Sequence, residues 1–197
     1  MGNLLKSLQQ LFISKVRIKV LKYFLFNPDT PIHLRGAVRE LKEEINAVRR
    51  EIARLEEIKL IIYESRGNRK YYSINPDFPF ITDLLGMFHK TFGIGGMLVE
   101  NAEKLGEVQF AILTSSFTTR KKIAGLNVDL VLIGQINLDY LGKLVEDAEK
   151  KLGREINYTV LKGSEFILRK KRRDAFIIEL LMDDKILLVG KNEDLLA

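Results

Sequence analysis

The chain contains no cysteine, which excludes disulfides, thiolate zinc sites and cysteine nucleophiles. It has only two histidines, His33 and His89, far apart in sequence, so a histidine-rich metal centre is not expected. No apolar run approaches the roughly 18–20 residues that a membrane span needs. The N-terminus, MGNLLKSLQQ, has no apolar core of the signal-peptide kind, so a cytoplasmic location without a membrane partner is expected. What is present is ordinary for a globular protein: 197 residues, 46% hydrophobic and 29% charged. That length allows one or two domains and two modest cores.

Charge is distributed unevenly. Residues 1–90 carry 16 Lys+Arg against 10 Asp+Glu, and residues 91–197 carry 16 of each. The whole excess of +6 therefore lies in the first half, which points to a polyanionic partner for that half.

In LFISKVRIKVLKYFLF (11–26), apolar residues at 13, 16, 20, 21 and 24 follow a helical period, and Asn27-Pro28-Asp29 stops it. Thr30-Pro31 predicts a restart, with Pro31 in the first turn of a helix over about 32–41 that buries Leu34, Val38 and Leu41. A third helix is expected over about 45–58, with Ile45, Val48, Ile52 and Leu55 as its inner stripe. Asn46 and Arg50 lie opposite that stripe, with Arg49 and Arg54 on the flanks. Asparagine can read adenine, and arginine can read guanine or grip phosphate, so this face suits a major groove.

LIIYES, RGNRK and YYSIN (60–75) then read as a β-hairpin. Gly67-Asn68 forms its turn, with Arg66, Arg69 and Lys70 at the tip. Three helices and a basic-tipped hairpin make a winged helix-turn-helix. Over about residues 11–76 the chain resembles the ArsR-like winged-helix family, on the stretch NAVRREIARLEEIKLI. It departs from the family at Ile58-Lys59, where a small residue and glycine are usual. The resemblance implies double-stranded DNA as partner, with Asn46, Arg49 and Arg50 at bases or adjacent phosphates. Arg35, Arg54, Arg66, Asn68, Arg69 and Lys70 would lie along the backbone. A helix over 78–92 is expected to offer Phe80, Ile81, Leu84, Leu85 and Phe88 to a partner surface, which in such regulators is often a homodimer interface, and also to pack on the chain's own first helix.

Phe92-Gly93-Ile94-Gly95-Gly96 reads as a hinge and domain boundary, giving domains 1–92 and 93–197. Beyond it, a helix (97–105), strands (108–115, 127–134), a helix (138–152), a strand (156–162), one long basic helix from 167 to 184 and a last strand (185–190) alternate. This order predicts a sheet with flanking helices. The expected fold class is thus a two-domain α+β or α/β chain: a winged helix followed by a mixed sheet.

About residues 97–190 resemble the minimal nucleotidyltransferase domains of the DNA polymerase β-like superfamily, on LTSSFTTRKKIAGLNVDLVLIG (113–134). In that family a strand ends in Gly-Ser, and two acids at i and i+2 of the next strand share Mg²⁺ with a third acid. The resemblance maps the Gly-Ser turn to Ser115-Ser116, the paired acids to Asn127 and Asp129, and the third acid to Asn157. One carboxylate is a poor site for two divalent cations, so no catalytic residue and no metal are expected. Ser115, Ser116, Asn127, Asp129 and Asn157 would be vestiges, with Asp129 hydrogen-bonded to Ser116 or to the basic loop. Mg²⁺ and a nucleotide are implied only if the domain is active. Arg120, Lys121 and Lys122, in that loop, form a possible anion site. The run Arg169–Arg173 reads as a solvated helix face, with a grip on nucleic acid or on a nucleotide triphosphate as the alternative.

The expected function is a dimeric DNA-binding transcriptional regulator carrying a degenerate nucleotidyltransferase-like domain for sensing, dimerisation or partner binding. Two alternatives stand beside it: an active nucleotidyltransferase targeted by a winged helix, and an antitoxin-like component of a nucleotidyltransferase toxin–antitoxin pair.

Overall fold

In the computed structural model, residues 3–119 and 128–197 are described; Asn127 and Arg120–Lys122 lie outside them. The chain divides into two compact units, Met1–Phe88 and His89–Ala197. Each holds its own sheet, one of three strands and one of four, so the architecture is mixed helix and sheet.

The first unit opens with α1 (Asn3–Phe12) and α2 (Lys15–Phe26). The single helix expected over 11–26 is broken at Ile13, whose φ of 57° is left-handed. Ser14 then caps α2, its side chain accepting the Arg17 N–H at 3.1 Å. The restart expected at Thr30-Pro31 is also displaced. Ile32–His33 form a short strand, β1, and the helix α3 spans Leu34–Leu41. Its inner face is Gly36, Ala37 and Leu41, while Leu34 and Val38 are half-buried. A Cβ on Gly36 would press on the Ile32 side chain, so the missing side chain lets α3 close on the strand before it.

The helix α4 (Ile45–Glu57) buries Val48, Ile52 and Leu55 against α2 and α3. It ends in a Schellman turn: Leu60 N–H bonds to Leu55 C=O at 3.0 Å and Lys59 N–H to Glu56 C=O at 2.9 Å. Lys59 takes the left-handed position at φ 61°, the place where the resembling family has glycine. The strands β2 (Ile61–Arg66) and β3 (Arg69–Ile74) form the hairpin, and β1 completes an antiparallel sheet in the order β1-β3-β2. The helix α5 spans Ile81–Thr91, three residues later than expected. Phe88 is fully buried, its ring edge-on to Phe12 at 5.9 Å, so at this position the expected packing within the chain is the one present. Phe80 does remain exposed.

In the second unit the expected glycine hinge is helical instead. The helix α6 spans Gly93–Glu100 and a 3₁₀ turn follows over Ala102–Leu105. Cβ atoms on Gly95 and Gly96 would collide with the carbonyls of His89 and Thr91. These glycines therefore serve close packing of the helix start, not bending. Then come β4 (Gly106–Thr114), α7 (Ser115–Thr119), β5 (Leu130–Ile136) and α8 (Leu138–Leu152). They are followed by β6 (Tyr158–Leu161), α9 (Gly163–Lys171), α10 (Ala175–Met182), β7 (Lys185–Val189) and α11 (Asn192–Leu196). The long basic helix is thus two, separated where Arg173 turns left-handed at φ 54° and Asp174 caps α10.

The sheet order is β6-β5-β4-β7, with β5 and β6 parallel and the other pairs antiparallel. Phe110, Ile112, Val131, Ile133 and Leu161 on one face pack against Phe166, Ile177, Leu180 and Leu195 of α9, α10 and α11. The crossover helix α8 has its own apolar stripe, Leu141, Leu144, Val145 and Ala148, and packs beside α6.

Candidate nucleic-acid interface

The exposed face of α4 follows from its start. Glu44, the N-cap, accepts the Ala47 N–H at 2.9 Å. The backbone N–H groups of Asn46 and Ala47 hold its carboxyl below the ordinary carboxylate range. With the helix fixed there and its apolar stripe inward, Asn46, Arg49, Arg50 and Arg54 are all exposed. The Asn46 carbonyl oxygen accepts from Arg49 Nη1 at 3.0 Å, one turn along.

The hairpin brings its own cations beside this face. Lys70 Nζ reaches the Glu56 carboxylate at 3.2 Å and lies 3.6 Å from the centre of the Tyr63 ring. Its hydrogen bond to Glu56 is the main cause that raises its pKa. Arg66 pairs with Glu64 and lies over Tyr71 at 4.9 Å. Tyr63 and Tyr72 stand across β2 and β3 with ring centres 6.2 Å apart.

These elements enclose a cleft of about 430 Å³ lined by His33, Leu34, Arg35, Ile45, Arg49, Arg69, Lys70 and Tyr72. Four of the cations singled out in the sequence, Arg35, Arg49, Arg69 and Lys70, thus converge from α3, α4 and β3. Asn46 is joined to them through Arg49. Arg50, Arg54, Arg66 and Asn68 are exposed but do not line the cleft. His33 and Tyr72 were missed in the sequence. Tyr72 could have been found, because it shares a strand face with Lys70 at i+2.

A second feature also went unread. Glu51 is a charged residue only 6% exposed, three positions after Val48 and four before Leu55. Its Oε2 accepts from Arg17 Nε at 2.8 Å. Its Oε1 accepts from Ser14 Oγ at 3.1 Å and Arg54 Nη1 at 3.2 Å. An acid on the apolar stripe of a helix was the available signal.

In the second unit, Ser115 and Ser116 are buried and begin α7, and Ser115 Oγ donates to the Asp183 carboxylate. Asp129 is buried just before β5. Its Oδ2 accepts the Asn157 backbone N–H at 3.0 Å, and Arg154 Nη1 lies 3.5 Å from both oxygens. Arg154 also reaches the Phe117 carbonyl at 3.4 Å and covers the Phe117 ring. Among the described residues the partners of Asp129 are thus Arg154 and the Asn157 backbone, not Ser116; the basic loop, the other expected partner, lies outside the described residues. The charge of Asp129 is met by a guanidinium and not shared with a second carboxylate. Among the described residues, no three His, Cys, Asp or Glu side chains gather around one point that could hold a metal. Nor is any helix among them long and apolar enough to cross a membrane.

No family model matches the chain, and no curated protein matches it. Solved structures give partial likenesses. MepR, a transcription regulator of the Staphylococcus aureus multidrug efflux pump MepA, is 19% identical with a TM-score of 0.41, covering 52% of this chain and 73% of MepR. A MepR mutant from a multidrug-resistant S. aureus clinical isolate is also 19% identical, with a TM-score of 0.38 over 50% of this chain and 77% of the mutant. Human N-acetylserotonin methyltransferase in complex with SAM is 14% identical, with a TM-score of 0.29 over 64% of this chain and 41% of that enzyme.

Proposed function

We propose that this protein is a DNA-binding transcription regulator of the cytoplasm that reads duplex DNA through an ArsR-like winged helix. The observation that carries the reading is the cleft in which Arg35, Arg49, Arg69 and Lys70 converge from three elements. Cations carried together by a recognition helix and a wing suit the phosphates that flank a major groove. Asn46 and Arg50, exposed on the outer face of α4, would then meet base edges. Residues 1–92 form the DNA-binding domain in this reading, and the chain acts as a homodimer on paired half-sites.

Residues 93–197 form a nucleotidyltransferase-like domain that has lost catalysis and serves sensing, dimerisation or partner binding. Its support is the engagement of Asp129 by Arg154, which places a fixed cation where a metal-dependent enzyme needs an available carboxylate.

The test is an anisotropy titration of duplex DNA against salt. Binding should weaken steeply as salt rises, because phosphate contacts release counterions. Arg49→Ala with Arg50→Ala should weaken binding and flatten the slope. Unchanged affinity in that double variant would sink the reading.

A further inference from the structure

Glu51 is the one acid of α4 turned into the core, although Glu56 and Glu57 on the same helix are not buried. Its carboxylate takes three donors, from Ser14, Arg17 and Arg54. Two of these come from the start of α2, where Ser14 also caps the helix by accepting the Arg17 N–H. One carboxylate thus ties the corner between α1 and α2 to the middle of α4. The third donor, Arg54, sits one turn further along α4 and is otherwise exposed.

A buried ion pair of this kind adds little net stability, since desolvation offsets most of the attraction. What it does fix is geometry. The apolar stripe of Val48, Ile52 and Leu55 holds α4 against the core, but apolar contacts tolerate a few degrees of roll. The two directed hydrogen bonds that reach that carboxylate from the start of α2, from Arg17 and Ser14, do not. Any roll of α4 would swing Asn46 and Arg49 sideways, and bidentate reading of a base fails with small misalignment.

We infer that Glu51 is a positioning residue: through Arg17 and Ser14 it sets the roll at which α4 presents Asn46, Arg49 and Arg50 to the base edges of DNA. It therefore governs sequence discrimination more than attachment to phosphate. This rests on the DNA-binding reading above.

The test compares the full chain on two duplexes of equal length: one selected from a random pool by the wild-type protein, and one scrambled. Glu51→Gln keeps the shape and removes the charge. Arg17→Met removes the same bond from a partner that is about one-third exposed, and it reads the effect if Glu51→Gln fails to fold. Glu57→Gln, an exposed acid of the same helix, controls for lost negative charge alone.

Glu51→Gln and Arg17→Met should each lower the selected-to-scrambled affinity ratio roughly tenfold, about the discrimination of one well-made base contact. Binding of Glu51→Gln to the scrambled duplex should follow the Glu57→Gln control, whereas Arg17→Met, which removes a cation, should bind it no tighter than the wild type; the double variant should lose no more discrimination than either single change. A wild type that discriminates while both folded variants stay within about twofold of its ratio overturns this inference alone. A wild type that binds neither duplex overturns the DNA-binding reading and this inference with it.

Discussion

Arg154 places one guanidinium nitrogen 3.5 Å from each carboxylate oxygen of Asp129, and its guanidinium carbon lies over the ring of Phe117, 4.8 Å from its centre. The same side chain thereby holds α7 on one side and the start of β5 on the other. The two partners are not equivalent: Asp129 is buried, whereas the Arg154 side chain is about one-third exposed. Removing Arg154 leaves a buried carboxylate with one backbone N–H among the described residues; removing the charge of Asp129 leaves an arginine that water can reach. Arg154→Met should therefore cost about 1–3 kcal/mol, and Asp129→Asn clearly less, because the amide oxygen can still accept the Asn157 N–H. Urea denaturation of the two variants decides this. Equal losses would mean that the difference in burial does not set the cost of breaking the pair.

Lys59 at the end of α4 carries a second prediction. A non-glycine residue in the left-handed region costs roughly 1 kcal/mol, and the Schellman bonds to Leu55 and Glu56 hold it there. Lys59→Gly should stabilise the first unit by about 0.5–1 kcal/mol, offset in part by the freer unfolded chain. A thermal melt reads it, and a drop in midpoint would show that the lysine side chain contributes something the backbone geometry omits.

The same junction shows how far the sequence could be read. The helical period of 45–58 and the Gly67-Asn68 turn were legible because each depends on local pattern alone. So were the cations that those elements carry. Their convergence in one cleft was not, because it depends on how α3 meets β3 across β1. Breaks that use ordinary residues were also hidden: Ile13 and Arg173 turn left-handed without glycine or proline. Only the cap residues after them, Ser14 and Asp174, marked those breaks. Phe92–Gly96 misled in the opposite sense. Glycine lowers helix propensity, yet Gly95 and Gly96 lie within α6, where two carbonyls leave no room for Cβ atoms. The bonds between Glu51 and Arg17 join positions 34 residues apart, beyond the reach of any local period.

Stability should fall in mild acid through His89. This residue is buried beside Phe117, with ring centres 5.7 Å apart. Burial pushes its pKa from 6.5 down to about 4. The unfolded chain therefore binds a proton between about pH 6.5 and 4 that the folded chain refuses. The contribution is complete above pH 6.5 and is lost as pH falls towards 4, by about 3 kcal/mol in all. Chemical denaturation across that window should show the decline, and His89→Leu should flatten it. A variant that loses as much stability as the wild type would clear His89 of the effect.

Lys70 offers the last test, because its ammonium is already engaged. Glu56 holds it at 3.2 Å, and the Tyr63 ring lies beneath it. A phosphate approaching the wing must compete with the Glu56 carboxylate and is itself repelled by that charge. Glu56→Gln removes both obstacles while keeping the side chain's length. Affinity for duplex DNA at low salt should rise roughly two- to fivefold, the scale of one exposed ion pair. Lys70→Ala should lower affinity and reduce the salt slope by about one phosphate equivalent. In a Lys70→Ala background the gain from Glu56→Gln should shrink to the repulsion alone. If the gain persisted in full without Lys70, the carboxylate would be acting on DNA directly and the wing lysine would not be a phosphate contact.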